Sequence, residues 1–171
     1  MSAEVTFEIP EGAEAMAAFR ELNWAYRDTL LALPDEHTII ARTLYTSDRF
    51  AALLDAADTA YRPPRGQMRL VRLGGRPVGC GTIQTLPTGE AEIKRVYVAP
   101  EAQGRGLGRR LMEVLIEDCR RLGFRRILMD TGVVLTRAQA LYDSMGFRLR
   151  GPYQPLPPEA EGLIVFYEMD L

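Results

Sequence analysis

Glu92-Ile93-Lys94-Arg95-Val96-Tyr97-Val98, followed after a short connection by Gln103-Gly104-Arg105-Gly106-Leu107-Gly108, is the stretch that decides the fold. Ile93 to Val98 reads as a strand. Leu107 to Leu122 reads as a helix, because Leu107, Leu111, Leu115, Cys119 and Leu122 form one apolar stripe. Glu113, Glu117, Asp118, Arg120 and Arg121 would form its wet face. A glycine-rich turn between strand and helix gathers backbone N–H groups at a helix N-terminus. Unpaired amides and the helix dipole favour a phosphate there. Glycines let the backbone approach that phosphate closely, because no Cβ intervenes. Arg105, Arg109 and Arg110 add positive charge to the turn. The stretch is not a Rossmann fingerprint, since the third glycine and a following βαβ half with a distal acidic residue are missing. It is not a P-loop, since no Gly-Lys-Ser/Thr closes the turn.

Working outward, residues 4–9 alternate like a strand. Met16, Phe19, Asn23, Tyr26, Leu30 and Leu33 recur near helical spacing, which predicts an amphipathic helix over 13–33 stopped by Pro34. Residues 35–45 read as a loop with part of a helix. Ser47 is placed to cap a second helix carrying Phe50, Leu53, Leu54 and Ala57, which Arg62-Pro63-Pro64-Arg65-Gly66 ends. Strands at 68–73, 78–86 and 92–98, separated by Gly74-Gly75-Arg76 and Pro87-Thr88-Gly89-Glu90, form an antiparallel meander. After the glycine turn and its helix, Gly123 suits a C′ position and Phe124 folds back. Residues 126–130 form a strand that returns parallel to 92–98 by a right-handed crossover. Thr136-Arg137-Ala138-Gln139 fits a capping box and opens a short helix that Gly146-Phe147 ends. Residues 151–162 read as a loop, and a last strand covers 163–169. A further strand fits at 147–150.

Composition bounds the rest. A chain of 171 residues, 47% hydrophobic and 26% charged, suits one globular domain over 1–171 with a substantial core. No apolar run approaches the ~20 residues a membrane helix needs. Met-Ser-Ala-Glu lacks the basic-then-apolar order of a signal peptide. Cys80 and Cys119 sit among apolar residues and read as buried thiols in a reducing compartment, the cytoplasm. A net charge of −2 argues against nucleic-acid binding, and no Cys/His spacing suggests a metal. His37 lies outside every motif, and Asp130, before Thr131-Gly132, could mimic a catalytic acid and suits local hydrogen bonding as well. Arg125, Arg126, Arg148 and Arg150 read as solvated faces.

The Gln103–Gly108 run resembles the Gln/Arg-x-x-Gly-x-Gly/Ala signature of the GNAT superfamily of acyl-CoA N-acyltransferases, with Gln103, Gly106 and Gly108 at the signature positions. Ala138-x-x-Leu141-Tyr142-x-x-x-Gly146-Phe147 resembles a second run of the same superfamily. The element order, β-α-α-β-β-β-α-β-α-β, matches its α+β fold: a mixed, mostly antiparallel sheet flanked by helices, with a splayed parallel strand pair. One position departs, Leu135, where relatives often carry a cofactor-contacting Asn.

The resemblance implies acetyl transfer from acetyl-CoA to an amine. Gln103, Gly104, Arg105, Gly106, Leu107, Gly108 and Arg109 would hold the pyrophosphate. The backbone of Val96, Tyr97 and Val98 would pair with the pantetheine arm. Tyr142 would protonate the departing thiolate, since a phenol with pKa ~10 stays protonated at neutral pH. Glu92 resembles in position the catalytic glutamate of histone-acetylating members and would be the base. Strict alternation along the strand places Glu92, Lys94, Val96 and Val98 on one side. A small-molecule amine is the first choice of acceptor, and a peptide amine is the alternative. A non-catalytic acyl-CoA sensor would share the glycine turn without needing Glu92 or Tyr142. Homodimers are common in the superfamily, and this sequence specifies none.

Overall fold

The computed structural model describes residues 3–171; Met1 and Ser2, on which the reading of the N-terminus partly rests, lie outside the described residues. Seven strands form one sheet: β1 (Val5–Glu8), β2 (Gly66–Leu73), β3 (Arg76–Thr85), β4 (Ala91–Val98), β5 (Arg126–Gly132), β6 (Arg148–Arg150) and β7 (Ile164–Asp170), ordered β1-β2-β3-β4-β5-β7-β6. Short turns make neighbours antiparallel, while the crossover from β4 to β5 makes that pair parallel. This pair is registered only at Ala91↔Ile127 and Glu92↔Leu128. Beyond Glu92 the two strands diverge, as the resemblance implied.

Helices cover both faces. On one, α1 (Gly12–Leu31) buries Met16, Phe19 and Leu22 against Met68, Leu70 and Cys80 of the sheet. A 3₁₀ turn (Asp35–Thr38), α2 (Ile39–Thr43), α3 (Ser47–Asp55) and α4 (Ala57–Ala60) extend this layer. On the other face lies α5 (Leu107–Arg121), whose Leu111, Met112 and Leu115 are fully buried. It approaches β3 closely because residue 81 is glycine: a Cβ there would meet Leu115 Cδ1 at 2.7 Å. A last helix, α6 (Thr136–Ser144), packs Tyr142 into the same core.

Four local expectations are corrected. Asp118 is not on a wet face; it is 4% exposed and receives a two-pronged bond from Arg69 Nε and Nη2, at 2.7 and 2.6 Å. Arg69 also donates to the Phe7 carbonyl, so one guanidinium ties β2 to α5 and β1. Ser47 does not cap α3; Thr46 holds the N-cap position without a side-chain cap bond. The capping box does not form. Leu135 is the N-cap of α6, and Gln139 instead reaches back to the carbonyls of Gly132 and Val133.

The fourth concerns β4. Cys80 pairs with Tyr97 and Thr82 with Lys94, so β4 carries one extra residue against β3. This bulge contains Arg95, a non-glycine residue at φ +52. It reverses the alternation partway along the strand. Ile93, Val96 and Val98 join the α5-side core, whereas Tyr97 packs with the α1-side core. Glu92 and Lys94 therefore do not share a face with Val96 and Val98.

Candidate active site

Val98 ends β4, and its carbonyl accepts a bond from Gln103 Nε2 at 3.0 Å, which fixes the glycine turn to the strand. Gly104 and Gly106 adopt φ +75 and +73, a left-handed conformation costly for other residues. A Cβ at either would meet nothing within 4 Å, so these glycines supply conformation and leave an open cradle in front. Gly106 is the N-cap of α5 and makes no side-chain cap bond. The first amides of α5 are thus free of side-chain caps, which suits a phosphate. Arg105 and Arg109 are exposed beside this turn, with Arg109 Nη2 on Ser144 Oγ at 2.5 Å. Arg110 turns away and lies over the Phe7 ring, 5.0 Å from its centroid.

Where β4 and β5 separate, a cavity of about 230 Å³ begins. Val96, Met129, Asp130 and Tyr142 line it at the sheet and α6 side. Leu30, Leu33, Ile40 and Leu44 give it an apolar wall from the helical layer. Tyr142 is 7% exposed, and its ring meets Tyr167 edge-on at 5.6 Å. Burial pushes its phenol up to about 12, with Asp130 and Tyr167 adding to the shift. It therefore stays a proton donor well into the alkaline range.

Glu92 is 1% exposed and lies beneath the cavity rather than in its wall. One carboxylate oxygen accepts from Gln84 Nε2 at 2.5 Å. The other accepts from the Tyr153 hydroxyl at 2.7 Å and from Lys94 Nζ at 3.2 Å. Asp130 is the carboxylate that reaches the cavity. Its Oδ2 accepts from Gln154 Nε2 at 2.8 Å, with Lys94 Nζ at 3.6 Å. The Tyr153 oxygen is 3.4 Å away, its single phenol proton favouring the shorter contact to Glu92. These partners are distant in sequence, not the local ones expected for Asp130. Burial pushes the Tyr153 phenol far above its ordinary range, and Asp130 and Glu92 push it further. Burial works against the Lys94 ammonium, but Tyr45, Asp130 and Glu92 outweigh it and hold its pKa above the usual lysine range.

Sequence reasoning named Glu92 and Tyr142 but missed the network that joins Glu92 to Asp130. Gln84, Lys94, Tyr153 and Gln154 carried no motif. The one available signal was the position of Tyr153 and Gln154 in the loop before the last strand. His37, assigned no role, lines the cavity, and its Nδ1 is buried without a partner. Among the described residues, no cluster of three or more His, Cys, Asp or Glu is placed to hold a metal ion, and no helix is long and apolar enough to cross a membrane.

A diverging parallel pair that ends in a glycine turn at an uncapped helix narrows the family, and the sequence comparison decides it. The family model of the GNAT acetyltransferases matches residues 16–147. The chain belongs to the GNAT family. It is thereby an acyl-CoA-dependent acyltransferase. An IAA acetyltransferase of Azospirillum brasilense is 36% identical over 126 residues, covering 71% of this chain and 81% of that protein. An uncharacterized N-acetyltransferase of Schizosaccharomyces pombe is 37% identical over 57% of this chain, which spans 62% of that relative. YncA of Salmonella typhimurium, solved with acetyl-CoA, shares the fold with a TM-score of 0.71 at 18% identity, over 98% of this chain and 94% of that one.

Proposed function

We propose that this chain, as a single catalytic domain of the cytoplasm, transfers the acetyl group of acetyl-CoA to a primary amine of a small molecule by direct attack in a ternary complex. The observation that carries this reading is the continuity of three features. A phosphate cradle at Gly104–Arg109, the gap between β4 and β5, and a cavity lined by the Tyr142 side chain follow one another along the sheet. A cavity of about 230 Å³ suits a compact acceptor, since drug-sized ligands occupy roughly 300–1,000 Å³.

The backbone amides of the turn hold the pyrophosphate, with Arg105 and Arg109 supplying charge. The unpaired edge of β4 at Val96, Tyr97 and Val98 receives the amide-bearing arm as an added strand. The thioester carbon then lies near Tyr142. The amine nitrogen forms a bond to that carbon, the carbon–sulfur bond breaks, and the sulfur leaves with the electron pair. Tyr142 donates to that sulfur. With its phenol near 12 and a thiol near ~8.5, full transfer in the ground state is uphill by roughly 5 kcal/mol. Tyr142 therefore acts as a hydrogen-bond donor that stabilises the departing thiolate. The amine's proton leaves through Asp130 at the cavity wall. Tyr153 bridges Asp130 to Glu92, which makes the buried Glu92 the second member of the accepting pair.

The test is release of free thiol from acetyl-CoA in the presence of a panel of small amines. Tyr142→Phe should lower kcat by about 10²-fold and leave KM for acetyl-CoA within a few-fold, because it removes a transition-state donor and keeps the packing. Glu92→Gln and Asp130→Asn should lose rate near neutral pH and regain part of it in alkaline buffer, where free amine replaces ammonium of pKa ~10. Parallel pH–rate curves for wild type and both variants would remove the carboxylate pair from the mechanism. Absence of amine-dependent thiol release would overturn the reading as a whole.

A further inference from the structure

One charged group in the cavity wall has no part in these steps. Arg95 is 3% exposed and lines the cavity, yet its Nε and Nη2 have no hydrogen-bond partner. No carboxylate among the described residues lies within ion-pair distance of it. Its neighbours are aromatic. The guanidinium sits 5.1 Å from the centroid of the Tyr61 ring, and the hydroxyls of Tyr45 and Tyr26 face it, Tyr45 within reach of a hydrogen bond to the guanidinium, so neutral oxygens rather than a carboxylate are its neighbours. An aromatic face offsets only part of the cost of taking a guanidinium out of water. A buried cation of this kind is incomplete without an anion. The bulge in β4 is what brings it here. The extra residue puts Arg95 beside Lys94 on the α1 side, in a backbone conformation that ordinary residues adopt only when their surroundings enforce it.

The charges in this wall divide unevenly. Lys94 serves both carboxylates, at 3.2 Å from Glu92 and 3.6 Å from Asp130, so that cluster retains one negative charge. Arg95 carries one positive charge with no carboxylate at ion-pair distance. The cavity is thus polarised, with an acidic position at Asp130 and a cationic one at Arg95, between apolar walls from Leu30, Leu33, Ile40, Leu44 and Leu53.

We propose that Arg95 binds a carboxylate of the acceptor, so that the substrate is an apolar amino acid-like amine: ammonium toward Asp130, carboxylate on Arg95. The inference rests on the reading of this cavity as the acceptor site. Arginine suits the task because its planar fork matches a carboxylate with two parallel bonds and keeps its charge at every working pH. A residue placed only to pack under Tyr61 would not distinguish acceptors by their acid group.

The experiment compares matched acceptors with and without the acid: leucine against isopentylamine, and 6-aminohexanoate against hexylamine. O-phosphoethanolamine against ethanolamine serves as the phosphate arm. Thiol release is followed with acetyl-CoA saturating. At least one carboxylate-bearing acceptor should exceed its neutral partner by 10-fold or more in kcat/KM, with no gain in the phosphate arm. Arg95→Met should lower kcat/KM for that acid at least 10-fold and leave its neutral partner within about twofold. Arg95→Lys should restore part of the loss. If Arg95→Met does not fold, 4-methylpentanoate provides the second measurement, as a competitive inhibitor against the acceptor with wild-type protein. Three outcomes overturn the inference and leave acetyl transfer standing: neutral amines matching the acids in every carboxylate pair, Arg95→Met slowing both members equally, or preference confined to the phosphate arm. Turnover of no acceptor at all overturns the acceptor-site reading together with it.

Discussion

The two halves of this molecule hold their function in different ways. In the half we propose to hold the cofactor, strand end, turn and helix start lie within a few consecutive residues, and the bond that joins them, Gln103 to Val98, spans five positions. Its chemistry is carried by backbone: φ angles of +75 and +73 at Gly104 and Gly106, and amides at the uncapped start of α5. In the half we propose to hold the acceptor, the chemistry would be carried by side chains that only the sheet brings together. Tyr153 meets Glu92 across 61 positions, and Gln154 meets Asp130 across 24. A site made of backbone conformation needs local sequence only. A site made of side chains needs the whole topology.

The largest effect should come from the place where the cofactor half departs from this rule. The α5 helix is held to the sheet by the Arg69–Asp118 pair, 49 residues apart and mostly buried. Asp118→Ala leaves the guanidinium without its carboxylate and should cost about 3–5 kcal/mol of stability. Urea unfolding measures it. A loss below about 1 kcal/mol would show that α5 is placed by its apolar stripe alone, and would make the cofactor half local throughout.

Gly106→Glu should act next, and on binding. The new Cβ meets nothing within 4 Å, so no protein atom is displaced. The substitution instead strains φ +73 and puts a negative charge where we propose that a phosphate binds. Acetyl-CoA affinity in calorimetry should fall by about 10²-fold, or roughly 2.7 kcal/mol. Wild-type affinity should also weaken with salt, because Arg105 and Arg109 are exposed. An unchanged dissociation constant would move the phosphate elsewhere and break the contrast at its firmer end.

The same contrast explains what the sequence made legible. Element order, the diverging strand pair and the roles proposed for Gln103, Gly106 and Tyr142 rest on periodicity and on motifs of short span. Three features did not show. The bulge at Arg95 was invisible because arginine carries no preference for positive φ, so strict alternation put Glu92 and Val96 on one side. Asp118 falls on the polar side of the α5 pattern, and its partner lies on a strand read separately. Tyr153 and Gln154 belong to a loop whose composition reveals only that it turns. The Asp118 and Tyr153–Gln154 misses are long-range pairings that no local pattern encodes, whereas the bulge and the two failed caps are local geometry that propensity alone does not settle.

The smallest effect compares the two halves through one chemistry. Cys119 is buried in the core beneath α5, and Cys80 lies in the core beneath α1. Burial pushes each thiol up to about 12, opposed by Arg95 at Cys80 and assisted by Asp118 at Cys119. In the unfolded chain a thiol ionises near ~8.5. Folding therefore retains a proton that the unfolded chain releases between that value and the folded one, and stability falls as pH rises through the window. Stability from this source is fully present below about pH 8. Between pH 8 and 10 it should drop by roughly 1.9 kcal/mol per thiol, on top of a loss from the buried tyrosines that sets in above about pH 9 and is common to all variants. Urea unfolding at pH 8, 9 and 10 under a reductant reads the slope for wild type, Cys80→Ala and Cys119→Ala. Each variant should be less stable at pH 8, from the lost packing, and show a slope shallower than wild type by one thiol's share. Equal slopes in the two variants would mean that both cores are equally closed to water. A wild-type slope retained in Cys80→Ala alone would mean that the α1-side core already admits water in the folded state, and that the acceptor half is the looser of the two.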